Sequence, residues 1–199
     1  MNAPARLAPV EDHALPHRFT WAEVRAMTAA EVFGPDRRAE LLRGEVFIMP
    51  QEGFLHVDCV YALQSWLLAH VSTLGLSVRI RDPLYLRDGS VLIPDLCVMP
   101  AGTEARAMRA ERALLVIEVM DSTEGRDRKL KLPAYAEAGV QEVWLVEAKA
   151  RALTAHRAPL DGAWTSVQRC TPGQTLAPLC TQEAGFDPAD LPEERPAAG

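Results

Sequence analysis

Apolar and polar positions along the chain switch between a helical and a strand period, and each switch marks an element. "FTWAEVRAMTA" opens with Thr20 and, three residues on, Glu23, a capping-box pair that predicts a short helix from Trp21 to about Ala29. "FGPDRR" then breaks the chain. In "AELLRGEVFIMP", Gly44 separates Leu41–Leu42 from Val46–Met49 and predicts a hairpin or bulge. Val57, Val60, Tyr61, Leu63, Leu67, Leu68 and Val71 recur at helical spacing before Gly75, which predicts a helix over 55–73. Three strand-like runs follow, "LSVRIRD", "LYLRD" and "SVLIPDLCVM", the last two joined by the hairpin dipeptide Asp88-Gly89. After a polar stretch at 101–112 comes the apolar run Leu114–Met120. "STEGRDRKLKLPAYAEAG" is patterned as a helix, and Pro133 inside it requires either a kink or a late start. "VQEVWLVEA" is a strand, and "RALTAHRA" and "AWTSVQRC" pair around "PLDG". This order of helices and strands predicts a mixed α/β (α+β) domain around a single sheet.

Composition narrows the class. With 199 residues, 48% hydrophobic and 24% charged, the chain has enough apolar surface for one domain with a full core. The expected organisation is a loose arm over 1–18, a domain over 19–186, and a disordered Pro/Glu/Ala-rich tail over 187–199. No apolar run reaches the roughly 18 residues of a membrane span. The N-terminal stretch lacks the apolar core of a signal peptide, so the expected location is the cytoplasm. Cys59, Cys97, Cys170 and Cys180 form no C-x-x-C pair and are expected to be reduced and structural, which argues against a zinc site. The net charge of −6 opposes tight nonspecific nucleic-acid binding but leaves room for a local basic patch.

Two charges stand where the pattern calls for apolar residues. Glu118 interrupts "LLVIEVM", and Asp95 follows Pro94 inside "VLIPDLCVMP". A buried, unpaired carboxylate costs on the order of several kcal/mol, so a cation is expected between them. If the two lie on neighbouring strands, their oxygens suit Mg²⁺ or Mn²⁺, hard cations that keep waters of their own. A nearby lysine would orient the attacking water or stabilise developing negative charge. Lys129 and Lys131 are the candidates. Only one can face the sheet, because a two-residue step turns a helix by about 200°. Lys131 and Tyr135, at i and i+4, share a face. His56 is a candidate for binding substrate or capping its helix, and Glu45 is expected to face solvent or a partner. No G-x-S-x-G element or glycine-rich phosphate loop is present.

Pro94-Asp95, Glu118-Val119 at the end of its strand, Asp127-Arg128 with Lys131 and Tyr135, and "AGVQEVWLVE" together resemble the Uma-two family of the PD-(D/E)xK restriction-endonuclease-like superfamily. "AELLRGEVFIMP" and His56 extend the resemblance, which spans roughly 20–170. It implies a restriction-endonuclease-like core, a central mixed β-sheet flanked by α-helices. It implies a metal-dependent endonuclease acting on DNA. Asp95 and Glu118 are then the ligands of Mg²⁺ or Mn²⁺, Lys131 assists the water, and Glu40 is the additional acid of the site. It also points to a homodimer. The chain departs from the pattern in three places. Met120 stands where the motif lysine normally follows the second acid, Met120-Asp121-Ser122 replaces a Ser-Pro, and Pro133 falls in the lysine helix. A restriction-endonuclease-like binding or assembly module without activity is the alternative, and a metal-dependent hydrolase of a small phosphorylated substrate is a third reading.

Overall fold

The computed structural model describes residues 16–35, 37–120, 125, 127–181 and 183–194. Among them, helix α1 (Trp21–Ala29) starts with the expected box: the Glu23 N–H donates to Thr20 Oγ1, and the Thr20 N–H donates to Glu23 Oε2 at 2.7 Å. Strands β1 (Ala39–Leu42) and β2 (Glu45–Ile48) form the predicted hairpin. Arg43 and Gly44 both take positive φ in its two-residue turn, the conformation that matches strand twist. A side chain at Gly44 would meet Arg18, whose Cβ lies 2.8 Å from where its own Cβ would stand. Helix α2 (Phe54–Val71) runs through a short 3₁₀ turn to Gly75, whose φ of 68° ends it.

The strands divide into two sheets rather than the expected one. β3 (Leu76–Ile80), β6 (Leu96–Pro100), β7 (Leu115–Met120), β8 (Glu142–Glu147), β9 (Ala152–Leu160) and β10 (Ala163–Cys170) make a six-stranded sheet in the order β10-β9-β8-β7-β6-β3. Only β7 and β8 are parallel in it, as the connecting helical segment requires. β4 (Leu84–Tyr85) and β5 (Val91–Leu92) join the first hairpin in a four-stranded sheet, β2-β1-β5-β4. Pro94 explains the division. It has no N–H for a ladder, so the run from Val91 to Met99 cannot be one strand. The break sends β5 to the small sheet and β6 to the large one, and leaves Asp95 at the junction.

Strand alternation builds a core on each face of the large sheet. Leu96, Val98, Leu115, Ile117, Trp144 and Val146 pack with Leu63 and Leu67 of α2. Cys97, Met99, Val116, Met120, Val143 and Leu145 pack on the other face with Leu132 and Tyr135 and with Leu84 and Leu92 of the small sheet. Each such apolar side chain contributes about 1.5–3 kcal/mol when fully buried. On β7, Glu118 lies between Val116 and Met120, so alternation turns it toward this second face.

The helix after β7 starts late. A single π turn (Asp127–Lys131) leads into α3 (Leu132–Glu137), and Pro133 falls in the first turn of α3, where its missing N–H costs nothing. The part of the expected helix over 122–124 lies outside the described residues. At the other end, Asp187 caps a 3₁₀ turn (Pro188–Asp190) and Leu191 is 2% exposed within the core. The expected disordered tail therefore does not begin at 187. Leu191 is an apolar anchor within a segment whose composition reads as solvent-exposed, and residues 195–199 lie outside the described residues. The cysteines are unbridged. No described helix is long and apolar enough to cross a membrane.

Candidate functional site

Asp95, Glu118, Lys131 and Glu40 come from four separate stretches of chain, and all are nearly inaccessible. Lys131 lies between the two glutamates. Its Nζ is 2.9 Å from Glu40 Oε1 and 3.0 Å from Glu118 Oε1. The Tyr135 hydroxyl donates to the same Glu118 oxygen at 2.6 Å, so the i, i+4 face expected for Lys131 and Tyr135 grips one carboxylate. Lys129 is exposed, which settles which lysine faces inward. Glu40 lies inside β1. Its Oε1 also accepts the Ile93 N–H at 2.9 Å, tying the small sheet to the loop that carries Asp95.

Asp95 closes the site from the other side. Its Oδ2 accepts the Val119 N–H at 2.9 Å, and its Oδ1 accepts from His56 Nε2 at 3.1 Å. Burial pushes the Asp95 carboxyl up. The His56 bond and charge, the Val119 N–H and the Lys131 charge outweigh burial and hold it below its ordinary value of 3.8. Asp95, Glu118 and Lys131 thus line one cavity of about 200 Å³, with His56, Glu52 and Arg38 on its wall.

Glu52 is the residue that sequence reasoning missed. It lies in the loop before α2, four residues ahead of His56, and its Oε2 is 3.6 Å from His56 Nε2. That i, i+4 spacing was the one visible signal. Glu52, His56 and Asp95 each offer a donor atom within 4.8 Å of the others, a geometry that could hold a metal. Glu52 is also paired with Arg38 and with Arg81. Arg81 follows β3 with φ 53°, a left-handed backbone that costs a non-glycine residue about 1–3 kcal/mol. Its N–H donates to the Asp95 carbonyl at 3.3 Å. No signal in the sequence brought Arg38 and Arg81 together.

Glu142 provides the contrast of a purely structural acid. It is fully buried on β8, accepts from Trp144 Nε1 at 2.7 Å and from the Leu179 N–H at 2.7 Å, and pairs with Arg157 at 2.6 Å. It lines neither the 200 Å³ cavity nor the cleft beside it. Glu118 and Asp95 differ in opening onto a cavity. Glu45 is exposed and pairs with Arg18 on the surface, as expected.

A family model for Uma2, described as "Putative restriction endonuclease", matches residues 21–189. A crystal structure described as that of "a putative nuclease belonging to DUF820 from Anabaena variabilis ATCC 29413" is similar in fold, with a TM-score of 0.63 and 16% identity. That similarity covers 77% of this chain and 88% of the other. No curated protein matches the chain.

Proposed function

The chain belongs to the Uma2 family, and from that premise we propose that it is a metal-dependent endonuclease that hydrolyses phosphodiester bonds, with DNA as substrate. The observation that carries this reading is the Lys131 ammonium held between Glu40 and Glu118 on the wall of the cavity that Asp95 closes. Asp95 and Glu118 line the same cavity, and hard cations take oxygen ligands, which supports Mg²⁺ or Mn²⁺ as the ion. When bound, such an ion polarises a phosphoryl oxygen and lowers the pKa of a water.

The protein's own groups do the rest. Val119 and His56 fix the plane of the Asp95 carboxylate, and Tyr135 and Lys131 fix that of Glu118, so the ligands need not reorganise. Lys131 places a positive charge where the attacking water and the developing phosphoryl charge lie, which stabilises that charge in a water-poor cavity. Glu40 positions Lys131 and pins the Asp95 loop through Ile93. The π turn supports Lys131 as the counterpart of the lysine that normally follows the second acid. It carries Lys131 back to Glu118 although eleven positions of chain separate it from Met120.

The reading keeps the cytoplasm as location and a homodimer as assembly. The exposed stripe Phe54, Val57, Tyr61 and Leu68 along α2 and the sheet edge within 151–170, with exposed Leu160 and Val167, are the proposed dimer contact, and light scattering of Tyr61→Glu against the wild type checks it. The test of function is cleavage of single- and double-stranded DNA with Mg²⁺ or Mn²⁺. The wild type is expected to cut and Asp95→Ala not to cut. A wild type that cuts neither form with either ion overturns the nuclease reading in favour of a binding module.

A further inference from the structure

Beside the catalytic cavity lies a second, open cleft of about 540 Å³, lined by Arg37, Arg38 and Arg81 and sharing Glu52 with the first. It gathers three guanidinium groups on a protein of net charge −6. Two of them are spoken for. Glu52 offers one carboxylate oxygen to Arg38 and the other to Arg81. A carboxylate that engages two arginines imitates a phosphate, since both present oxygens to planar donor forks. Arg81 Nε is buried with no acceptor among the described residues, so its donors are not all used.

We propose that this cleft is the seat of a backbone phosphodiester flanking the scissile one, and that Glu52 occupies its arginines until a nucleic-acid strand displaces it. The inference rests on the nuclease reading of the neighbouring cavity and adds a phosphate subsite to it. Displacement does not strand Glu52, because its side chain is 16% exposed and borders the open cleft, where water can take up the oxygens that the arginines release. The Arg81 N–H bond to the Asp95 carbonyl ties the strand end that carries Arg81 to the loop that carries Asp95, and Arg38 and Glu52 line both the cleft and the cavity, so the seat adjoins the site. An internal carboxylate also explains how an acidic protein keeps such a cleft from binding every polyanion. A ligand must compete with Glu52 before it gains the arginines.

The test is fluorescence anisotropy with a labelled DNA oligonucleotide in EDTA, so that no cleavage enters the readout. Glu52→Gln is expected to bind roughly tenfold more tightly than the wild type, the scale of one charge-assisted hydrogen bond. Arg81→Ala is expected to bind roughly tenfold more weakly, with the slope of log K against log[salt] reduced by about one phosphate contact. The Arg81 arm stands whether or not Glu52→Gln folds. Unchanged affinity in either variant overturns the proposal. Inorganic phosphate is the second probe. A gain in phosphate binding by Glu52→Gln without a gain for the oligonucleotide assigns the cleft to free phosphate and overturns the strand seat. Tighter oligonucleotide binding by Glu52→Gln in a protein that cuts nothing keeps the seat and removes the nuclease reading. Cleavage by the wild type with Glu52→Gln binding unchanged does the reverse.

Discussion

Replacing Lys131 with methionine tests how the buried charges are balanced. Methionine keeps most of the side-chain volume and removes the ammonium. Lys131 and Glu118 are each 3% exposed and Glu40 is 1% exposed, so the charges left behind are poorly screened by solvent. Removing one member of a buried ion pair costs about 3–5 kcal/mol, because the partner charge is left uncompensated. Two carboxylates are left here, which argues for the upper end. Tyr135 still donates to Glu118 and the Ile93 N–H to Glu40, which pulls the figure down. The expected loss is therefore about 3–5 kcal/mol, a fall in Tm of roughly 6–20 °C for a domain of this size. Calorimetry of the metal-free protein measures it. Two further variants and conditions define the cause. Adding Glu118→Gln to Lys131→Met should restore part of the loss by removing one stranded charge. Millimolar Mn²⁺ should raise the Tm of Lys131→Met more than that of the wild type, since a cation then fills the gap between the carboxylates. A Lys131→Met Tm within about 2 °C of the wild type, under 1 kcal/mol on that scale, would refute the argument.

Three other outcomes are expected. Lys131→Ala should abolish cleavage without weakening Mn²⁺ binding, since a nearby positive charge repels the ion, while exposed Lys129→Ala should cut normally; activity assays and metal titration separate the two. Tyr135→Phe should lower stability by about 1.5–3 kcal/mol, the range for a hydrogen bond to a charged group, as read from urea midpoints. Stability should fall in acid in two stages. Burial first, then the Arg128 charge, hold the His156 imidazole below its ordinary 6.5, so the unfolded chain binds more protons than the folded one as pH drops. The His156 contribution is complete above about pH 6.5 and is lost as pH falls through the lowered folded value. The Asp95 contribution follows the same sign, complete above its ordinary 3.8 and lost below it. Urea unfolding between pH 4.5 and 7 should flatten in His156→Phe, and an unchanged slope would count against this assignment.

Much of this protein is decided locally and is legible in its residues. Thr20 and Glu23 cap α1 because the side chains and the donors they satisfy are three residues apart. Gly44 and Gly75 end their elements because only glycine takes positive φ without cost. The alternation along β7 makes Glu118 an anomaly in any reading, and the helical step from Lys131 to Tyr135 makes them neighbours in any reading. The candidate acids and the lysine could be found this way because each breaks or extends a local pattern. Other features depend on where distant segments meet, and no local pattern encodes that. Pro94 announces a break, but only the pairing of β5 with β1 and of β6 with β7 makes that break a boundary between two sheets. Pro133 announces a kink or a late start, and the structure answers with a π turn that gives way to α3 one residue before it. Leu191 is one apolar residue in a polar tail until the core receives it. Glu52, Arg38 and Arg81 look like ordinary surface charges in sequence, and they meet only because a loop, a strand edge and a strand end converge on Asp95. Local propensity acts over three or four residues. A site made from six stretches of chain is decided by burial, which rewards their meeting only after the sheets have formed.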